Sequence, residues 1–135
     1  MQFVSDDGGR SAAGYKGSAG DCTVRAIAIA TEKPYQEVYD DLFKRGKRSP
    51  RKGVFKRIYK PYMTDIGWQW VPTMFIGSGC QVHLNSDELP AGRIVVRLSR
   101  HLVAVINGVL HDTYDCSRDG TRCVYGYWRK SKNNA

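Results

Sequence analysis

The chain has 135 residues, 41% apolar and 25% charged, a composition that suits one globular domain with a real core and excludes a disordered or fibrous protein. No run of 18 or more apolar residues occurs, which excludes a helical membrane span, and MQFVSDDGGR at the start lacks the basic and apolar regions of a secretory signal, so a cytoplasmic location is expected. The net charge of +8 is concentrated: nine of the 21 basic residues and none of the 13 acidic ones lie between Lys44 and Lys60, leaving the remainder close to neutral.

In chain order, residues 1–13 are expected to be flexible, and Gly14 to Gly20 make a glycine-rich lead-in. Cys22 to Thr31 has small and apolar residues on nearly every side with Arg25 as the lone charge, which predicts a short buried helix with Asp21 as its N-cap. Pro34 opens a second helix, with Tyr35, Val38, Tyr39 and Leu42 as its buried stripe and Gly46 at its end. A third helical pattern runs from about Gly53 to Ile66, disturbed by Pro61 and stopped near Gly67. Strands are then predicted at Gln69–Pro72, Gln81–Leu84, Arg93–Leu98, His101–Ile106, Val109–Thr113 and Val124–Trp128, with a turn at Asp87–Leu89 and a frayed polar tail, 129–135. Helices first and sheet last read as a single α+β domain over 1–135.

The segment HLVAVINGVLHDTYD contains the strongest local signal. Asn107-Gly108 between two alternating apolar runs predicts a type I′ hairpin, because both central residues of that turn need positive φ. Partners in such a hairpin have numbers summing to 215, so Val103 faces Asp112 and His101 faces Tyr114. His101 and Asp112 are then diagonal neighbours on one face, about 7–8 Å apart at the backbone and within side-chain reach. His111 falls on the other face, and His111 and His83 read as ordinary surface or core histidines.

Cys22 is expected in the first turn of its helix, beside free backbone N–H groups and the positive end of the macrodipole, a setting that favours thiolate over thiol. Thiolate, imidazole and carboxylate in the order Cys22, His101, Asp112 are the parts of a nucleophilic triad.

GDCTVRAIAIAT followed far downstream by HLVAVINGVLHDTYD resembles the papain-like fold in a compact form, similar to small bacterial and phage-borne members such as the double-glycine leader peptidases. These segments cover roughly a quarter of the chain. The resemblance implies a nucleophile helix packed on a C-terminal antiparallel sheet, Cys22 as nucleophile, His101 as general base and Asp112 as its orienting partner. Papain-like enzymes usually place Gln or Asn a few residues before the cysteine as an oxyanion donor, whereas Phe3 to Asp21 contains neither. Lys16, Tyr15 and Ser18 are the candidates to replace it.

No two of Cys22, Cys80, Cys116 and Cys123 have the C-x-x-C spacing of a structural zinc site, so no metal and no cofactor are expected. Cys116 and Cys123 bracket the Asp119-Gly120 turn signal and are the pair a hairpin would bring together, although in a reducing cytoplasm they would usually stay free. The basic segment is Lys44, Arg45, Lys47, Arg48, Arg51, Lys52, Lys56, Arg57 and Lys60, interleaved with Phe55 and Tyr59, a mixture that can grip phosphates and stack on bases or meet an acidic protein. The expected function is a thiol hydrolase, a cysteine peptidase cutting a peptide or isopeptide bond of a protein substrate. The alternative is an idle papain-fold binding or structural module, a phage-particle component for instance, that uses the basic segment on nucleic acid or an acidic partner.

Overall fold

Three helices and a six-stranded mixed sheet make an α+β fold in the computed structural model, which describes residues 1–17 and 19–131. The strands in chain order are β1 (Phe3–Ser5), β2 (Trp68–Pro72), β3 (Arg93–Leu98), β4 (His101–Ile106), β5 (Val109–Asp112) and β6 (Gly126–Lys130), arranged β1-β5-β4-β3-β6-β2. Every neighbouring pair is antiparallel except β1 with β5, so the expected C-terminal antiparallel sheet gains a parallel edge strand from the N-terminus. Phe3–Ser5 lies in the stretch expected to be flexible; its partner is more than 100 residues away, a pairing that no local pattern displays.

The helices are α1 (Cys22–Thr31), α2 (Tyr35–Gly46) and α3 (Lys56–Asp65), with a 3-10 turn at Pro50–Lys52. None is long and apolar enough to cross a membrane. Lys47, in the left-handed region at φ 53°, rather than Gly46 closes α2, its N–H donating to the Phe43 carbonyl. Pro61 sits inside α3. The expected strand at Gln81–Leu84 is reduced to one bridge between His83 and Cys123, and the last strand lies two residues further on than expected, which puts Arg129 and Lys130 of the expected tail into β6. Ser131 follows, its N–H donating to the Gly67 carbonyl at 2.7 Å, and 132–135 of that tail lie outside the described residues.

Strand alternation divides the core between the two faces of the sheet. Val95, Leu102, Ala104 and Trp128 pack with α1, α2 and α3, while Ile94, Val96, Leu98, Val103, Val105 and Leu110 form a second cluster with Leu84, Leu89, Cys116 and Val124. Arg93, the first residue of β3, donates from Nε to the Ala30 carbonyl at 2.9 Å and from Nη2 to the Ile29 carbonyl at 2.7 Å. A cation thereby closes free carbonyls at the negative end of α1 and pins that end beside the start of β3. Ten helical residues span about 15 Å, so the other end of α1, with Cys22, comes to the end of β3 and the start of β4.

Candidate active site

Each of the three expected side chains stands at the end of its element. Cys22 begins α1, His101 begins β4 after the Ser99-Arg100 turn, and Asp112 ends β5. The hairpin supplies two of them in the expected register: Ala104 pairs with His111, Val105 with Leu110 and Ile106 with Val109. Asn107 and Gly108 have φ of 48° and 78°, as a type I′ turn requires. His101 Nε2 and Asp112 Oδ2 are 2.7 Å apart, and the His101 ring lies 5.7 Å from the Tyr114 ring, its expected cross-strand neighbour.

Cys22 meets this pair from the helix side, lining one pocket with His101. Burial pushes the thiol pKa up, but the neighbouring His101 imidazole, the Leu102 backbone N–H and the charge of Arg25 outweigh it and hold the thiol below its ordinary value. Burial alone would lower the imidazole pKa of His101; the Asp112 carboxylate that accepts from its Nε2, and the neighbouring sulfurs of Cys116 and Cys22, reverse this and hold it well above the ordinary value. Burial would also raise Asp112, yet the bond from His101, the Thr113 N–H at 2.7 Å and Arg25 keep it below the usual carboxylate range. Each of the three shifts favours the charged form of its group.

Asp21 occupies the N-cap position but does not cap α1. Its fully buried carboxylate accepts from Arg10 Nη1 at 2.9 Å, from the Tyr35 hydroxyl at 2.6 Å and from Arg25 Nη1. Two guanidinium groups and a phenol are stronger partners than the backbone amides that a cap would satisfy. The first-turn N–H groups of α1 are thus left without a side-chain cap beside Cys22, where an anion at the thiol or at an attacked carbonyl would sit. Arg25 continues the chain, its Nη2 lying 3.6 Å from Asp112 Oδ1. Arg10, Asp21, Arg25, Asp112, His101 and Cys22 therefore form one connected series of charges.

Two of the candidate oxyanion donors, Tyr15 and Lys16, do not line the pocket of Cys22. Tyr15 packs against Tyr35 and Tyr39, with ring centroids 5.5 and 5.3 Å away, and the Lys16 carbonyl accepts from Arg10. Both residues line a different cavity, shared with Arg10 and Arg25. Ser18 lies outside the described residues. The pocket of Cys22 is a cavity of about 230 Å³ shared with His101, Tyr59, Lys56, Arg97 and Arg100. Trp68 is 7% exposed in the core and Trp70 stacks on Trp128, centroids 5.4 Å apart, so neither tryptophan lines it.

The other cysteines are arranged differently from the expected pair. Cys123 is joined to Cys80 as a disulfide, and Cys116 is free and buried beside His101. Donor atoms of His101, Asp112 and Cys116 lie within 4.8 Å of one another, the one grouping among the described residues that could hold a metal ion. His101 and Asp112 already satisfy each other there. His111 bonds Asp6 at 3.3 Å and His83 bonds Glu88 at 3.2 Å, both away from Cys22.

The basic segment is split by the fold. Arg45 pairs with Asp65 at 2.8 Å, Arg48 and Arg57 lie over the Phe55 ring at 4.5 and 5.2 Å, and Lys56 lines the pocket of Cys22. A segment remote from the triad in sequence is therefore next to it in space. Sequence reasoning passed over Arg97, whose signal was a charge inside the otherwise apolar run IVVRL of β3, directly opposite Leu102. No protein-family model matches the chain, and neither does any curated protein or solved structure.

Proposed function

We propose that the protein is a thiol hydrolase of papain-like type, a cysteine peptidase acting through Cys22, His101 and Asp112. The observation that carries this reading is the meeting of Cys22, at the start of α1, with the hydrogen-bonded His101–Asp112 pair, Cys22 and His101 lining one pocket. The Cys22 thiolate attacks the substrate carbonyl carbon, and negative charge moves to its oxygen beside the free N–H groups of α1. His101, protonated, gives its proton to the leaving amine as the C–N bond breaks and a thioester remains. Water then attacks the thioester, His101 takes a proton from it, and the acid product leaves as the thiolate and imidazolium re-form. Asp112 keeps the imidazole oriented throughout.

Alkylation of Cys22 by iodoacetamide, followed by mass spectrometry of each thiol in the folded protein, tests the reading. Cys22 is expected to react at pH 7 at least ten times faster than Cys116, as a lowered pKa and an open position imply. Thiolate is present above the lowered pKa and lost as pH falls through it, so the rate profile should turn below the ordinary thiol value of about 8.5. His101→Ala should move that turn upward. Equal reaction of Cys22 and Cys116, or a profile that His101→Ala leaves in place, sinks the proposal.

A second reading has one observation in its favour: Phe55 is 50% exposed between the guanidinium groups of Arg48 and Arg57, a surface on which an unpaired base can stack. In that reading the chain is a binding module for single-stranded nucleic acid, and Cys22 is idle.

A further inference from the structure

Lys56 begins α3, Arg97 lies near the end of β3 and Arg100 sits in the turn before His101, and all three line the pocket that contains Cys22. Among the described residues no acidic side chain lines that pocket. Among the described residues none of the three, nor neighbouring Lys60, forms an ion pair; Arg97 and Lys60 lie instead over the rings of Tyr125 and Trp70, at 5.8 and 5.5 Å. Lys56 is also at the wrong end of its helix, since a cation in the first turn opposes the macrodipole. Gathering like charges around one cavity without a counter-charge costs stability, and such a cluster attracts an anion into the space between them.

We propose that the pocket selects a peptide carrying a carboxylate beside the attacked bond, bound by Lys56, Arg97 and Arg100. This rests on the hydrolase reading and adds its substrate class. Desolvation and then the charges of Arg97 and Lys60 hold the Lys56 pKa below its ordinary value, a crowding that a bound carboxylate relieves. The cavity, about 230 Å³, suits one or two side chains rather than a folded partner, and Val54, Leu98 and Leu102 line it beside the cations. An aliphatic stem ending in a carboxylate matches that mixture. A phosphate backbone offers the sulfur no acyl carbon, so the peptide is favoured over nucleic acid.

Two alkylating reagents of nearly the same shape provide the test. Iodoacetate carries a carboxylate and iodoacetamide does not, so their rate ratio at Cys22, divided by the ratio at a free cysteine peptide, reads attraction to the carboxylate and cancels thiolate content. That quotient should be about tenfold at low salt and should fall as salt screens the rim. The Lys56→Gln/Arg97→Gln/Arg100→Gln variant should bring it most of the way back to one. Since Arg97 is half-buried, the Lys56→Gln/Arg100→Gln variant, which changes only exposed side chains, should fall between. A quotient identical in wild type and both variants overturns the substrate assignment and leaves the hydrolase reading standing. No reaction of Cys22 with iodoacetamide overturns both. An oligodeoxynucleotide that protects Cys22 better than a glutamate-rich peptide of equal charge also overturns the assignment, in favour of nucleic acid.

Discussion

Arg10 and Arg25 are 4% and 7% exposed and both end on Asp21, with Arg25 reaching Asp112 as well, whereas Lys56, Arg97 and Arg100 line the pocket of Cys22 and end on no carboxylate. The first group is buried, where an unpaired charge would cost several kcal/mol, so its positions are tolerable only because two carboxylates face them. The second is in contact with water, where an unpaired charge costs little and remains free to bind something else. Two sets of cations around one thiol thus differ in purpose: the buried set holds Asp112, and through it His101, in place, and the open set faces whatever enters.

If that division is right, the largest effect belongs to the junction between the buried set and the triad. Asp112→Asn keeps an acceptor for the Thr113 N–H, and Arg25 retains Asp21, so the fold should survive. The rate on a substrate of the proposed acidic class should nevertheless fall by about 10³–10⁴, because a misoriented or wrong-tautomer imidazole cannot serve as base. A variant that keeps more than a tenth of the activity would remove Asp112 from the site.

Next in size is the buried set itself. Asp21→Ala strands two guanidinium groups and the Tyr35 hydroxyl in the interior, and urea unfolding should show a loss of about 3–5 kcal/mol. A loss below about 1 kcal/mol would mean that Asp21 is no more than an ordinary surface partner.

The smallest effect should have the opposite sign. Lys56→Gln removes a cation from the first turn of α3 and from the neighbourhood of Arg97 and Lys60, so unfolding should show no loss and a gain of up to about 0.5 kcal/mol. A loss of 1 kcal/mol or more would show that Lys56 serves the fold, and the contrast between the two sets would fail.

Some of this architecture was legible because it rests on local chemistry. Asn107-Gly108 dictates its turn, the turn dictates the register, and the register alone puts His101 beside Asp112, so one dipeptide carried half the site. The buried character of α1 was equally plain, since ten residues with a single charge have few other places to be. Other features depend on pairings across long stretches of chain, which periodicity does not encode. The parallel strand β1, the Cys80–Cys123 pairing across 43 residues and the meeting of Lys56 with Arg97 are of this kind. The N-cap expectation for Asp21 failed for a related reason: local rules rank a carboxylate against the amides that follow it, and here two distant side chains, Arg10 and Tyr35, joined Arg25 in outbidding them. The sequence by itself thus determined the helices, the hairpin and the juxtaposition of His101 with Asp112, because those follow from neighbours along the chain. Only tertiary structure decided which cations are neutralised and which remain open at Cys22, because burial and counter-charge are properties of a place in the fold.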